Sequence, residues 1–313
     1  MRLLPENIDF AMFLNCACSS ALFTLCPYRV DVTDFSYIHL FFTLFSLKLI
    51  EVVAIIQSSL RRRRFLMQDR YAGDIGDYGK FALLRAMEAQ GLKLGVNWYL
   101  AKTLPSEIHD DGKYRIPSQY AELDPEFSAA LNRIFDLREA RSVQALEQAR
   151  LLASDLFVNE EVPRETDQRE VWHQKALTKL ADCDIVFLDP DNGLNVKSVK
   201  PGSPKSPKYV WLREVSDYIA SEKSVIFYNH RPRKKVEAYI AEYAARFAAD
   251  PVLCGKQFCV VTFPRRTTRD YFIISASQAH EENICKAIQN LLEGPFGSSD
   301  FCFLQPLLHG FAE

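Results

Sequence analysis

Asp189, Asp191 and Asn192 fall within Asp189-Pro190-Asp191-Asn192, directly after the apolar run Ile185–Leu188. Two carboxylates and an amide at the end of a buried strand can accept hydrogen bonds, move a proton or hold a hard cation. Gly193 and Pro190 give the same stretch ordinary turn chemistry, so its functional value depends on what stands next to it. Two more polar clusters close apolar runs in the same way. Glu107, His109, Asp110, Asp111 and Gly112 come after the run ending at Leu100, and Asn229, His230, Arg231 and Arg233 come after the run ending at Tyr228. If the three runs are neighbouring strands, these groups converge. His230 then stands near Asp189 as a second proton-transfer group. Asp110, Asp111, Asp189 and Asp191 then form a set of oxygen ligands suited to Mg²⁺ or Mn²⁺.

A fourth cluster lies upstream. In RYAGDIGDYGKFALLR, residues 70–85, Gly73, Gly76 and Gly79 alternate with Asp74 and Asp77 ahead of Lys80. Glycines at a helix start expose backbone N–H groups to an anion, so Gly73, Asp74, Asp77 and Lys80 are expected to touch a ligand. The Gly-Lys-Ser/Thr of a Walker loop is absent.

The pattern from Met67 onward supplies elements to carry these groups. Residues 80–90 have helical apolar spacing and stop before Gly91, and 93–100 reads as a strand with aromatics. Helices follow in PEFSAALNRIFDL, in SVQALEQARLLASDLF and over 170–182, the last leading into the strand that ends at Asp189. YVWLREVSDYIAS reads as a helix, 224–230 as a strand and KKVEAYIAEYAARFAAD as a helix. The strands 256–263 and 269–277 are separated by the basic turn Arg265-Arg266-Thr267-Thr268, and EENICKAIQNLLE closes the series. Strand–helix alternation predicts an α/β fold: a doubly wound, mostly parallel Rossmann-like sheet with a terminal antiparallel strand pair. Ligands of such sheets bind beyond the carboxyl ends of the strands, where the polar clusters fall.

This layout resembles the class I S-adenosylmethionine-dependent methyltransferases, in particular the adenine-N6 type that acts on ribosomal RNA. The likeness covers roughly residues 67–294 and rests on order and short motifs. Ala72-Gly73-Asp74 to Asp77 and Lys80 match the family's leader. Asp189-Pro190-Asp191-Asn192 stands where the family has Asp-Pro-Pro-Tyr, and the closing antiparallel pair matches its sixth and seventh strands. The resemblance implies S-adenosylmethionine as cofactor and Asp189 as the acceptor that orients a target amine, with Asn192 assisting. The chain departs from the family in two places. WYLAKTLPSEIHDDG has no glycine before Gly112 where the family wraps its cofactor with a glycine-rich loop, and Asp191-Asn192 replaces Pro-Tyr, removing the aromatic that stacks on a flipped base.

Composition bounds the rest. The chain has 313 residues, 48% hydrophobic and 25% charged, with a formal net charge of -2, which excludes an overall basic coat but not a local basic groove. Arg231, Arg233, Arg265 and Arg266 are the candidates for such a groove, and nucleic acid is the partner they suggest. The 8 cysteines show no CxxC spacing, which predicts reduced thiols and a cytoplasmic protein. Three parts are expected: residues 1–66, residues 67–297 as the α/β domain, and 298–313 as a C-terminal tail. The first part lacks glycine altogether, since all 12 occur from Gly73 on. Its apolar run 35–56 precedes Arg61–Arg64 and resembles a membrane span with a positive flank, but carries Lys48 and Glu51, each costing roughly 2.5–3.5 kcal/mol to insert. An extension upstream of a true start at Met67, a membrane anchor and a small helical extension all remain open.

Three functions use the same residues. One is a nucleic-acid-modifying group-transfer enzyme in which Asp189 orients the target amine. The second is a Mg²⁺- or Mn²⁺-dependent phosphodiesterase or nuclease, with His109 or His230 as acid or base. The third is a catalytically inactive RNA- or protein-binding relative.

Overall fold

The computed structural model describes residues 68–102, 114–264 and 267–306. The segment 1–66, including the apolar run 35–56, lies outside them, and so do Glu107, His109, Asp110, Asp111, Gly112, Arg265 and Arg266. No helix among the described residues is long and apolar enough to cross a membrane.

The first helix, α1 (Ile75–Glu88), is stopped at its N-terminus by Asp74, whose carboxylate accepts the N–H groups of Gly76 and Asp77 at 2.7 and 3.0 Å. That is N-cap chemistry, and it starts the helix several residues before the apolar spacing does. The chain continues through β1 (Leu94–Asn97), α2 (Ser118–Ala121), α3 (Pro125–Phe135), α4 (Val143–Gln148), β2 (Phe157–Val158), α5 (Thr166–Lys179) and β3 (Ile185–Leu188). After the short β4 (Gly193–Leu194) and β5 (Tyr209–Val210) come α6 (Leu212–Ala220), β6 (Ser224–His230), α7 (Val236–Ala248), β7 (Phe258–Phe263), β8 (Arg269–Ile274), α8 (Gln278–Glu293), α9 (Pro295–Ser298) and β9 (Phe303–Leu304).

Seven strands form one sheet in the order β2-β1-β3-β6-β8-β7-β9, parallel from β2 to β6 and antiparallel from there on. The doubly wound α/β expectation holds, with helices covering both faces. Three details differ from it. Residues 298–306 are not a tail: Phe301 and Cys302 are buried and β9 pairs with β7, so the antiparallel part has a third strand. The helix expected over SVQALEQARLLASDLF ends at Gln148, Arg150 takes a left-handed φ of 49°, and Phe157–Val158 joins the sheet beside β1. Tyr209–Val210 pairs with β4, and the helix after it begins only at Leu212.

Register decides what faces what. Val96, Phe187, Ile226 and Ile273 make one row across β1, β3, β6 and β8. Side chains alternate between faces, so this row packs under α1, while Leu188, Phe227 and Phe272 pack on the opposite core. Two residues further along, the same face carries Trp98, Asp189, Tyr228 and Tyr271. Tyr228 pairs with Tyr271, and Trp98 and Asp189 directly follow the register partners Asn97 and Leu188. The sheet thus turns from an apolar floor into a polar, aromatic rim within one pleat.

Two glycines let α1 lie close to that floor. A Cβ on Gly76 would stand 2.6 Å from the Arg269 guanidinium, and one on Gly79 would stand 2.6 Å from the Phe263 ring. Gly79→Ala is therefore expected to lower stability by up to about 2 kcal/mol. The overpacking against Phe263 costs about 1–3 kcal/mol, and it outweighs the roughly 1 kcal/mol that alanine adds to a helix interior. Urea denaturation of the variant measures the difference. An unchanged midpoint would show that α1 can move away from the sheet without loss.

Candidate functional site at the carboxyl ends of the parallel strands

A cavity of about 400 Å³ opens over the rim of the sheet. Its floor is the row Trp98, Asp189, Tyr228 and Tyr271. The start of α1 supplies Asp74, Gly76, Asp77 and Lys80 to one wall, and Asp191, Asn192, His230 and Arg269 also line the cavity. Volume and composition fall in the range of small-molecule sites, about 300–1,000 Å³ with aromatic walls and a few convergent polar groups.

Lys80 is the centre of the charge arrangement. Its ammonium lies 2.7 Å from Asp189 Oδ2 and 2.8 Å from Asp77 Oδ1, over the ring of Trp98 at 5.5 Å. Burial alone would lower the Lys80 pKa, but Asp189 and Asp77 outweigh it and hold the ammonium above the ordinary lysine range. Burial raises Asp189 above the usual carboxylate value, and Lys80 pulls it back. The other oxygen, Oδ1, has no hydrogen-bond partner among the described residues, and the carboxylate lines the cavity. Asp189 is thus a fixed carboxylate with one oxygen held and one presented.

Around this pair the remaining groups are engaged. Arg269 approaches Asp74 Oδ2 at 3.7 Å. Asp74 is pushed up to about 6, by burial and then by Asp77, with Arg269 acting against both. Asp191 meets the buried Lys208 at 3.3 Å. The N–H of Asn192 donates to the Lys208 carbonyl at 3.0 Å, so this residue is fixed through its backbone. His230 sits at the mouth with Nδ1 3.4 Å from the Tyr228 hydroxyl, and burial followed by the nearby Arg269 lowers its pKa. A neutral imidazole there is able to accept a proton.

The expected residues separate into two groups. Asp189, Asp191, Asn192, His230, Asp74, Asp77 and Lys80 do come together. Gly73 does not line the cavity: it adopts φ +81° and packs against the backbone of Leu131 and Phe135. The anion cradle expected at 70–80 is not formed, because Gly73 N–H donates to Asp77, Ile75 N–H to the Tyr114 carbonyl, and those of Gly76 and Asp77 to Asp74. Arg231 is spent on the fold: its Nε and an Nη donate to the two oxygens of the fully buried Asp270 at 2.8 and 2.6 Å, and that Nη also reaches Thr262 Oγ1 at 3.0 Å. Arg233 is exposed. Sequence reasoning missed Arg269 and Tyr271, contributed by an antiparallel strand, and Lys208, which ends the short 3-10 turn Ser206–Lys208.

Of the four acids expected to hold Mg²⁺ or Mn²⁺, Asp110 and Asp111 lie outside the described residues, and Asp189 and Asp191 are each paired with a lysine. After β1 the chain runs Trp98, Tyr99, Leu100 and Ala101, all buried. Tyr99 takes φ 47°, with its hydroxyl 3.1 Å from Glu214 on the far face of the sheet. Trp98 stacks on Phe157 and donates to Glu147 at 2.9 Å. Large buried side chains thus stand directly after β1, where the family has a glycine-rich loop; the rest of that connection, residues 103–113, lies outside the described residues.

The segment carrying the acids is fastened beyond its last residue. Gly193, at φ +104°, leaves no room for a Cβ, which would fall 2.0 Å from Asn229 Oδ1. That oxygen accepts from Leu194 N–H and the Tyr243 hydroxyl, both at 3.0 Å, and Asn229 Nδ2 reaches the Tyr239 hydroxyl at 2.6 Å. Of the cysteines among the described residues, Cys183 and Cys302 are buried, Cys259 is half-buried and Cys254 and Cys285 are exposed, all as free thiols.

Fold and site together describe an α/β protein of Rossmann-like architecture with a polar cavity at the ligand-binding edge of its sheet. Comparison with family models, with curated proteins and with solved structures finds no match to this chain.

Proposed function

We propose that this chain is a nucleic-acid-modifying enzyme whose cavity receives an unstacked base and whose Asp189 accepts a hydrogen bond from the exocyclic amine to be modified. The observation that carries this reading is the Asp189–Lys80 pair: one carboxylate oxygen is fixed at 2.7 Å and the other is presented to a cavity walled by Trp98, Tyr228 and Tyr271. Tyr71, Tyr114 and Tyr228, lining aromatics that are not fully buried, supply the stacking that Asp191-Asn192 does not. The pairing of Asp189 with Lys80 and of Asp191 with Lys208 favours this reading over a Mg²⁺- or Mn²⁺-dependent hydrolase. Adenine-N6 methyl transfer is the form of the reaction that the family resemblance suggests, and a cytoplasmic setting accords with the free thiols.

The test compares two labelled single strands, one with a central adenine and one with an abasic site there. The adenine strand should bind about tenfold more tightly, the worth of one stacked and hydrogen-bonded base. Asp189→Asn should remove that margin and leave the salt dependence of backbone binding in place. Equal affinity for both strands in the wild type would end the base-site reading. Thermal-shift series run alongside separate the alternatives. Stabilisation by Mn²⁺ that disappears in Asp189→Asn would replace group transfer with hydrolysis, and stabilisation by S-adenosylmethionine would identify the donor.

A further inference from the structure

Tyr271 is wholly buried, belongs to the cavity wall, and its hydroxyl has no hydrogen-bond partner. A buried hydroxyl without a partner forfeits the hydrogen bonds it had in water, so a fold gains nothing by keeping it where phenylalanine would pack equally well. The ring is fixed from three sides, by Phe187, Tyr228 and Phe263 at centroid distances of 6.1, 6.0 and 5.5 Å. Register places Tyr271 two strands from Asp189 in the same row, with Tyr228 between them. Both side chains therefore rise from one level of the sheet on one face, about 10 Å apart at the backbone, and both are within the electrostatic influence of Lys80.

We propose that Tyr271 is a specificity-determining residue: its hydroxyl donates to the ring nitrogen adjoining the exocyclic amine that Asp189 accepts from, so that the two together select the amine–ring-nitrogen edge shared by adenine and cytosine. The assignment rests on the base-site reading above and deepens it. Asp189 Oδ1 is an acceptor only, so it requires a donor on the ligand, and an amine provides one. The atom next to that amine on the Watson–Crick edge of adenine or cytosine is an acceptor, and it requires a donor from the protein. Lys80 is already shared between Asp77 and Asp189, whereas the Tyr271 hydroxyl is uncommitted. Guanine and uracil present a carbonyl and an N–H in these two places, the reverse of what the pair offers. Burial keeps Tyr271 a neutral phenol, against the opposing pull of Lys80 and Arg269, so it retains the proton it must donate.

The experiment measures binding of adenosine monophosphate and of its 1-deaza analogue, in which a C–H replaces the ring nitrogen, to the full chain and to Tyr271→Phe. In the wild type the deaza analogue should bind about 5–10-fold more weakly, the loss of one hydrogen bond. Tyr271→Phe should weaken adenosine monophosphate by the same factor and show no further loss with the analogue. Its Tm should be unchanged or raised by about 2–4 °C, because a partnerless buried hydroxyl has been removed. Wild-type affinity for adenosine monophosphate in Tyr271→Phe, additive losses, or a Tm lowered by several degrees would each overturn the assignment while the base site stands. If the wild type binds neither nucleotide and Asp189→Asn changes nothing, the base-site reading has failed and the role of Tyr271 fails with it.

Discussion

Lys80→Met is expected to cost about 3–5 kcal/mol of folding stability at neutral pH, as removal of one partner from a buried ion pair does. Methionine nearly fills the space of the lysine stem, so the loss is electrostatic and not a cavity. Asp77 and Asp189, both buried, lose the ammonium at 2.8 and 2.7 Å that compensates them. The pH dependence has a definite sign. Burial already holds Asp189 above the ordinary carboxylate value with Lys80 opposing, so without Lys80 the carboxyl rises further. A carboxyl raised above its unfolded value leaves the folded state binding more protons than the unfolded chain, and stability falls as pH rises through that interval. The deficit is therefore largest at pH 7 and above and shrinks as pH falls toward about 4, the unfolded value. Asp189→Asn added to Lys80→Met should recover part of the stability at pH 7, because one of the two uncompensated charges is gone. Urea denaturation at pH 5 and 7.5 checks both statements. A variant equally destabilised at the two pH values would show that Lys80 contributes by packing alone.

Arg231→Ala should be nearly as damaging, and for a reason unrelated to nucleic acid. Its guanidinium forms a two-pronged bond to Asp270, which is fully buried and also accepts from Thr262 Oγ1 at 2.6 Å. Gln305, next to β9, donates to the same Thr262 oxygen at 2.8 Å. Truncating Arg231 strands a carboxylate in the middle of the antiparallel strands, and about 3–5 kcal/mol of stability goes with it. Arg231→Lys should rescue little, since a lysine cannot reproduce the planar fork. Arg231→Met with Asp270→Asn should recover much of the loss. A residue whose work was holding a phosphate would behave differently: stability would stay, and the slope of log affinity against log salt would drop by about one. Denaturation and a salt titration of Arg231→Ala separate these outcomes, and intact stability would restore the phosphate role.

Much of the fold can be read from the sequence because apolar runs and helical spacing report burial directly. Ile185–Leu188, 224–230 and the two closing strands are found at almost their true limits. Strands of two residues carry no period, and Phe157–Val158, Gly193–Leu194, Tyr209–Val210 and Phe303–Leu304 all escape such reading; the first sits in a stretch whose apolar residues also fit a helix. Asp189 is visible as a carboxylate ending a buried strand. Lys80 is visible too, but as an anion contact, because spacing cannot show that a lysine will be shared between two aspartates. Glycines mislead in a similar way. Gly76 and Gly79 look like a loop exposing its amides, yet they are helix positions kept small so that Arg269 and Phe263 can approach. Arg269 and Tyr271 lie in a strand whose polar start, Arg269-Asp270, leads into a run that is apolar on both faces, and only the register with Tyr228 and His230 shows which of its residues reach the cavity.

The clamp at Gly193 and Asn229 bears on how a ligand would be received. The acids follow a strand held in register on both sides, and the residues after them are tied to β6 and α7 through one asparagine. Little conformational freedom is left in the connection, so little is lost when something docks against it. Affinity then reflects the fit of the incoming group to carboxylates already in place, and association needs no slow rearrangement of this segment before it.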